Sequence, residues 1–441
     1  VGEIQRTYRG SAVRPEEELD RHGPERAVVI ASLPADPEEE ADRLAELEEL
    51  LRTAGAEVVQ TLVQRRDQPS PRTYLGRGRL EELTEIVERL KPDLVAAEGS
   101  LTAGQQRALE DRLKTRVVDR TAIILDIFAQ HARSAEGKLQ VELAQLEYSY
   151  ARQEGLWQHL ERLGAGVGTR GPGESQLESD RRLVRNRMGT LRRRLREVER
   201  RRETQRGRRV ASAVPRIALA GYTNAGKSSL MNALTDAAVS VDDALFETLD
   251  PTTRRMIADG HEVLLSDTVG FIRHLPHQLV KAFSATLEEV READLILHVA
   301  DASEPEHRRA ARAAAVAEVL DEIGAAEIPR LPVLNKIDLL PGPQRQALAN
   351  RHPDAIQVSA RTGEGLDRLT EALAATARAR LSPVDVTIPY AMSGLVATVY
   401  EQGAEVHQEP TEEGVRVTAL MPPAAAARVR AALNGSGTAP P

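Results

Sequence analysis

The chain has 441 residues, no cysteine, 3% aromatic residues and a formal net charge of -8. That length allows about three domains of ~150 residues each, and the missing cysteine excludes disulfides and thiolate metal sites. No apolar run reaches the ~18 residues that span a bilayer, and residues 1–24 form a polar lead without a signal-peptide core, so a soluble, cytoplasmic protein is expected.

After that lead, apolar runs and periodicity predict strand Ala27 to Ser32, helix Pro37 to Thr53 and strand Ala56 to Val63. Helix Arg79 to Leu90, extended Asp93 to Ala97, helix Thr102 to Leu113 with Thr102 as cap, and extended Arg116 to Asp119 follow. The alternation predicts an α/β domain with a parallel sheet over residues 25–135. Within it, Leu75-Gly76-Arg77-Gly78-Arg79 reads as a turn as readily as a ligand loop.

From Leu139 the pattern changes to a heptad seam of Leu139, Leu143, Leu146, Tyr150, Trp157 and Leu160, interrupted by Gln153. A second seam runs through Val184, Met188, Leu191, Leu195 and Val198. Between them lies the glycine-rich stretch Leu163 to Gly173, which contains Pro172 and resists helix formation. An antiparallel helical hairpin over 136–209 with a long glycine tip is predicted. From Arg181 to Arg209 the second helix carries fourteen Arg against three Glu. Phosphates would supply the missing anions. RNA is therefore the expected partner, with Gly164, Gly166, Gly168, Arg170, Gly171, Gly173, Arg181, Arg182 and Arg185 as candidate contacts. So few aromatic residues point to backbone or shape recognition rather than base stacking.

Residues 210–381 read as a second α/β domain. Its apolar run Arg216 to Ala220 leads into Gly221-Tyr222-Thr223-Asn224-Ala225-Gly226-Lys227-Ser228, followed by Ser229 and a helix-like segment. The spacing of Gly, four residues, Gly-Lys-Ser is that of a phosphate-binding loop. The glycines let backbone N–H groups face a triphosphate, Lys227 sets a cation on the outer phosphates, and Ser228 offers a hydroxyl to magnesium. Asp267-Thr268-Val269-Gly270 follows the strand Val263 to Leu265, where Asp267 can hold magnesium through water and the Gly270 amide can meet a γ-phosphate. Asn335-Lys336-Ile337-Asp338 ends the strand Leu331 to Leu334. The Asp338 carboxylate can accept from N1 and N2 of guanine, and adenine offers no such pair, so GTP is selected over ATP. Ser359-Ala360 is similar to the loop whose backbone touches the guanine oxygen.

The second magnesium ligand is sought in Phe246-Glu247-Thr248-Leu249-Asp250 and the residues just after. Thr248 is chosen, with Thr252 as runner-up. Phe271 follows Gly270 where Ras-type enzymes place the glutamine that orients the attacking water. The catalytic group is thus unknown and slow unaided turnover is expected. Asn224 is either a turn residue or, as in related GTPases, a neighbour of a potassium ion.

Strands Val384 to Pro389 and Val415 to Met421, with helices Met392 to Gln402 and Ala424 to Leu433, predict a small α+β domain over 382–433. Residues 434–441 are expected to be disordered.

With these residues in view the chain resembles the HflX family of ribosome-associated GTPases. The resemblance rests on the motifs above and on Asp119-Arg120-Thr121, Ile124 to Phe128, Glu136 to Leu146, Arg170 to Glu174 and Asp267 to Pro276. It implies a cytoplasmic, partly ribosome-associated monomer that uses GTP and magnesium, binds the large ribosomal subunit and its RNA, and separates stalled or idle ribosomes under stress. Two other readings stand beside it: an ATP-dependent RNA-remodelling enzyme with a second nucleotide site in the N-terminal domain, and a GTP-gated ribosome-binding protein without splitting activity.

Overall fold

The structure is a computed structural model, which describes residues 23–163, 172–209, 214–235, 245–246, 248–273 and 284–435. The chain forms two compact units. The first comprises 1–199, 242–250 and 273–285, and the second the remainder.

In the first unit, β1 (Glu25–Leu33), α1 (Pro37–Thr53), β2 (Ala56–Arg65), α2 (Arg77–Leu90), β3 (Leu94–Ala97), α3 (Ala103–Leu113) and β4 (Arg116–Asp119) alternate as predicted. The parallel sheet has the order β2-β1-β3-β4. Strands such as Ala27 to Ala31 are apolar without alternation because helices cover both sheet faces. Helix starts are set by side chains. Asp36 accepts from the Glu38 and Glu39 amides, and Thr102 forms a capping box with Gln105.

The strand order reverses between β1 and β3, which is where open α/β sheets leave a ligand crevice. Here the protein fills it. The Tyr74 hydroxyl accepts from the Ser32 and Gly99 amides at 3.3 and 3.2 Å, and buried Glu98 accepts from Arg43. Burial pushes the Tyr74 phenol from 10 up to about 12, which extends its neutral range to strongly alkaline pH. Gly76 precedes α2 with its amide donating to Gln64 Oε1 at 2.7 Å, the turn reading of that glycine pair.

Sequence reading missed α4 (Arg120–His131), which Asp119 caps through the Ala122 amide. It is buried on most of its circumference, so no amphipathic period marks it. Then come α5 (Ala135–Leu163) and α6 (Pro172–Arg209). The helix begins at Pro172, so Gly173 is helical and not part of the tip. Proline suits a first helical turn, where its missing N–H costs nothing. The tip residues 164–171 lie outside the described residues.

Leu146, Val184, Met188 and Leu191 form the hairpin core with Leu139, Leu143 and Tyr150, all positions of the two seams; Leu195 and Val198 lie half-buried outside it, and the side chains of Trp157 and Leu160 are outside the described residues. Arg181 and Arg185 donate to the Tyr150 hydroxyl while Arg187 pairs with Glu142, the antiparallel sense. Arg192 pairs with Glu147. The first helix therefore offsets part of the arginine run, an interaction invisible when the second helix is read alone.

In the second unit, β5 (Arg216–Gly221), α7 (Lys227–Thr235), β6 (Thr252–Ala258), β7 (His261–Asp267), α8 (Ser284–Arg291), β8 (Leu295–Asp301), α9 (Glu306–Glu322), β9 (Arg330–Asn335), α10 (Gly342–Arg351), β10 (Ile356–Gln357) and α11 (Leu366–Ala379) follow in order. The six-stranded sheet runs β10-β9-β8-β5-β7-β6, parallel except for β6. Its core includes Ile217, Leu219, Leu265, Leu297, Val299 and Val333. A separate antiparallel sheet, β11-β13-β12, is built from β11 (Ser382–Pro389), β12 (Ala404–Pro410) and β13 (Gly414–Met421), with α12 (Ser393–Gln402) and α13 (Pro423–Gly435). β12 went unpredicted because Ala-Glu-Val-His-Gln-Glu-Pro is a polar, mostly exposed edge strand. The expected disordered tail loses its first two residues to α13, and 436–441 lie outside the described residues.

Candidate functional site

The parallel strands of the second unit end at one edge, where register places Leu219 beside Asp267, Gly221 beside Val299, and Asp301 beside Asn335. All four sequence motifs therefore converge there. Gly221, Tyr222, Thr223, Asn224, Ala225 and Gly226 turn from β5 into α7, with Asn224 and Gly226 in left-handed backbone at φ 59° and 84°. The left-handed Asn224 is what a turn role requires. A side chain on Gly226 would collide with the Asn335 amide, and one on Gly221 with the Val299 carbonyl.

Lys227 opens α7 and is buried, its Nζ donating to the Tyr222 carbonyl at 3.0 Å. Burial pulls its ammonium down to about 8, against the opposing pull of Asp267. Ser228 Oγ donates to Asp267 Oδ2 at 2.7 Å, and Ser229 lies half-buried in the next position. Thr268 donates to the Leu219 carbonyl at 2.7 Å, which fixes the end of β7 to β5. Val269 is buried. A Cβ on Gly270 would lie 2.8 Å from Thr223 Cγ2 and 3.0 Å from Lys227 Nζ, so only glycine allows this approach.

Phe271 is wholly buried, and its backbone exchanges hydrogen bonds with the loop: its amide donates to the Gly221 carbonyl at 3.1 Å and its carbonyl accepts from Thr223 at 2.8 Å. The residue in the glutamine position thus locks two loops together.

At the other end of the edge, Asn335 donates to the Ala225 carbonyl and accepts from the Ala360 amide, both at 3.0 Å. Lys336, left-handed at φ 64°, pairs with Asp301 at 2.8 Å. Asp338 accepts from Ser359 Oγ at 2.7 Å and pairs with Arg361 at 2.7 Å. The Ser359 bond, followed by the Arg361 charge, holds its carboxyl below the usual range, so it is an anion ready to accept donors. Arg361 went unremarked in the sequence, where nothing separates it from other surface arginines.

The segment Phe246 to Asp250 belongs to the first unit. Phe246 and Leu249 are buried and Thr248 half-buried, while Glu247 lies outside the described residues. The Asp250 carboxylate accepts from the Arg133 and Ser134 amides at 2.9 and 2.6 Å. The runner-up Thr252 is in β6, exposed and paired in register with Asp267. Of the RNA candidates, Arg181, Arg182 and Arg185 lie on α6, whereas Gly164, Gly166, Gly168, Arg170 and Gly171 are outside the described residues. Among the described residues no helix is long and apolar enough to cross a membrane.

Residues 41–129 match the family described as GTP-binding GTPase N-terminal, 131–209 the GTP-binding GTPase middle region, and 216–336 the 50S ribosome-binding GTPase family. The chain is 47% identical to GTPase HflX of Caldanaerobacter subterraneus subsp. tengcongensis over 91% of its length and 92% of that protein. It is 43% identical to GTPase HflX of Escherichia coli K12 over 90% of its length and 93% of that protein. A GTP-binding protein from Sulfolobus solfataricus, solved in complex with GDP, is 24% identical, with 80% of this chain and 98% of that one covered at a TM-score of 0.41. Three consecutive family regions, and relatives aligned almost end to end around this strand-edge cluster, show that the chain belongs to the HflX family of GTPases.

Proposed function

We propose that the protein binds the large ribosomal subunit in its GTP state and splits stalled or idle ribosomes under stress, with hydrolysis permitting release. The observation that carries this is the arginine face of α6. Residues 181–209 carry fourteen Arg against three Glu, and among the described residues Glu142 and Glu147 of the facing helix pair with Arg187 and Arg192. A phosphate-rich partner would complete that face. The description of the family that residues 216–336 match, 50S ribosome-binding GTPase, supports the choice of partner.

In this reading Lys227 meets the outer phosphates, the loop amides from Asn224 to Ser228 cradle them, and the Gly270 amide meets the γ-phosphate. Asp338 selects guanine, and the backbone of the Ser359-Ala360 loop meets its oxygen. Ser228 Oγ and the Asp267 carboxylate stand side by side at 2.7 Å, an all-oxygen pair of the kind magnesium takes. Ser228, Thr248 and, through water, Asp267 would hold the ion. Bound there, magnesium neutralises charge on the β- and γ-phosphates.

GTP orders the segments around Thr248 and Gly270, this state fits the ribosome, and the hairpin acts as a wedge. Sedimentation of 70S ribosomes tests the sequence of events: a nonhydrolysable GTP analogue should split subunits as GTP does. Splitting with GTP alone would refute a release-only role for hydrolysis.

A further inference from the structure

The first turn of α5 lacks the residue its own start calls for. Ser134 precedes the helix, and its Oγ accepts from the Gly137 amide at 2.8 Å. In a capping box this third helical position holds Glu or Gln, whose side chain reaches back to the cap's own amide. Here it holds glycine. The missing carboxylate arrives from 116 positions away. Asp250 accepts from the Ser134 amide at 2.6 Å, from the Arg133 amide at 2.9 Å and from the Ser134 hydroxyl. A Cβ at position 137 would lie 2.6 Å from Asp250 Oδ1, so the glycine makes the room that the incoming carboxylate occupies.

We propose that Asp250 is a positioning residue that completes the capping box of α5 from outside the helix, so that the start of the hairpin depends on where the Thr248 segment sits. The inference rests on the assignment of Thr248 to magnesium. The opposite end of the same segment is also gripped. The Phe246 ring packs edge-on against Phe128 at 4.6 Å and 80° between planes, and the Leu245 amide donates to Thr53 Oγ1 at 3.3 Å. Phe246 has φ 59°, a left-handed backbone that an aromatic residue keeps only when its surroundings hold it. Thr248 thus lies between a strained anchor and a helix cap. A bound metal that took the Thr248 hydroxyl as a ligand would shift Asp250, two residues on, away from the Arg133 and Ser134 amides and open the cap. The nucleotide state then reaches the hairpin as a change in helix capping.

Hydrogen exchange of the full chain, with GDP or a nonhydrolysable GTP analogue bound, tests this at the amides of Arg133 and Ser134. Exchange should be about fivefold faster with the analogue, the ~1 kcal/mol of a lost cap. Equal or slower exchange would overturn the proposal. Asp250→Ala should exchange fast with both nucleotides while binding GDP normally. The double variant Asp250→Ala/Gly137→Glu supplies the carboxylate from within the helix, and should regain protection without regaining nucleotide dependence. A nucleotide-dependent difference that survives in either variant would also overturn it. Thr248→Ala separates the two claims. Unchanged magnesium-dependent GTP binding there refutes the metal assignment, whereas the capping role is read from Asp250→Ala in the GDP state.

Discussion

Asn335 donates to the carbonyl of Ala225 at 3.0 Å, a side chain from β9 holding the phosphate loop after β5. Its other amide atom accepts from Ala360, so one buried residue ties three loops. Asn335→Ala leaves backbone groups of two loops unpaired at ~1–3 kcal/mol each. Affinity for GDP and GTP should fall about tenfold or more by calorimetry, with a lower melting temperature. Wild-type affinity would show that the loops hold themselves.

Asp338→Asn exchanges an acceptor for a donor. Guanine offers donors at N1 and N2, so GTP binding should fall by up to ~10⁴-fold, while a base carrying a carbonyl at position 2, as in xanthosine triphosphate, should gain. Arg361→Ala is the control. Its guanidinium is 73% exposed, and such a pair is worth only ~0–1 kcal/mol, so GTP affinity should shift by less than about fivefold. Undiminished GTP preference in Asp338→Asn would remove this residue from base selection.

The Lys227 ammonium, pulled by burial from 10.5 to about 8, sets a pH dependence. Between those values the unfolded chain binds the proton and the folded one does not, so nucleotide-free stability should rise with pH there. Phosphates favour the charged form, hence GTP binding takes up a proton above pH 8. Affinity should then fall by up to about tenfold per pH unit. Lys227→Met should flatten that slope and bind weakly throughout. A wild-type slope that is already flat would contradict the buried-lysine account.

On the hairpin, Arg182→Ala should lower the salt dependence of ribosomal RNA binding by nearly one unit for each phosphate that the side chain neutralises. Arg187→Ala should lower it less, because Glu142 already neutralises that charge. Equal slopes for both would mean that pairing within the hairpin does not sort its arginines. Leu191→Ala, at a wholly buried position, should cost ~2–5 kcal/mol and loosen the hairpin itself.

What was legible in the sequence was what is local. The β4 bounds Arg116–Asp119 and the α1 bounds Pro37–Thr53 follow from apolar runs and end signals within a few residues. The phosphate loop, Asp267 and Asn335 were legible because glycine spacing and strand ends carry their own chemistry, and one sheet edge gathers them. α4 was hidden by burial on all sides, and β12 by its polar edge. Pro172 read as a helix breaker because its position in the first turn was unknown. The Asp250 cap on Ser134 joins residues that only the fold brings together, and glycine at 137 reads as a weak helix residue until the carboxylate above it is seen.

The central claim is a GTPase whose turnover waits for the ribosome, with Phe271 buried where a water-orienting side chain would stand. The most direct test is single-turnover GTP hydrolysis alone, with small subunits and with large subunits. Slow hydrolysis alone, raised on the order of 10²-fold or more by large subunits only, is the expected result, approaching the ~10³–10⁵ that partner groups supply in related systems. Turnover that is fast alone, or unchanged by large subunits, would contradict it.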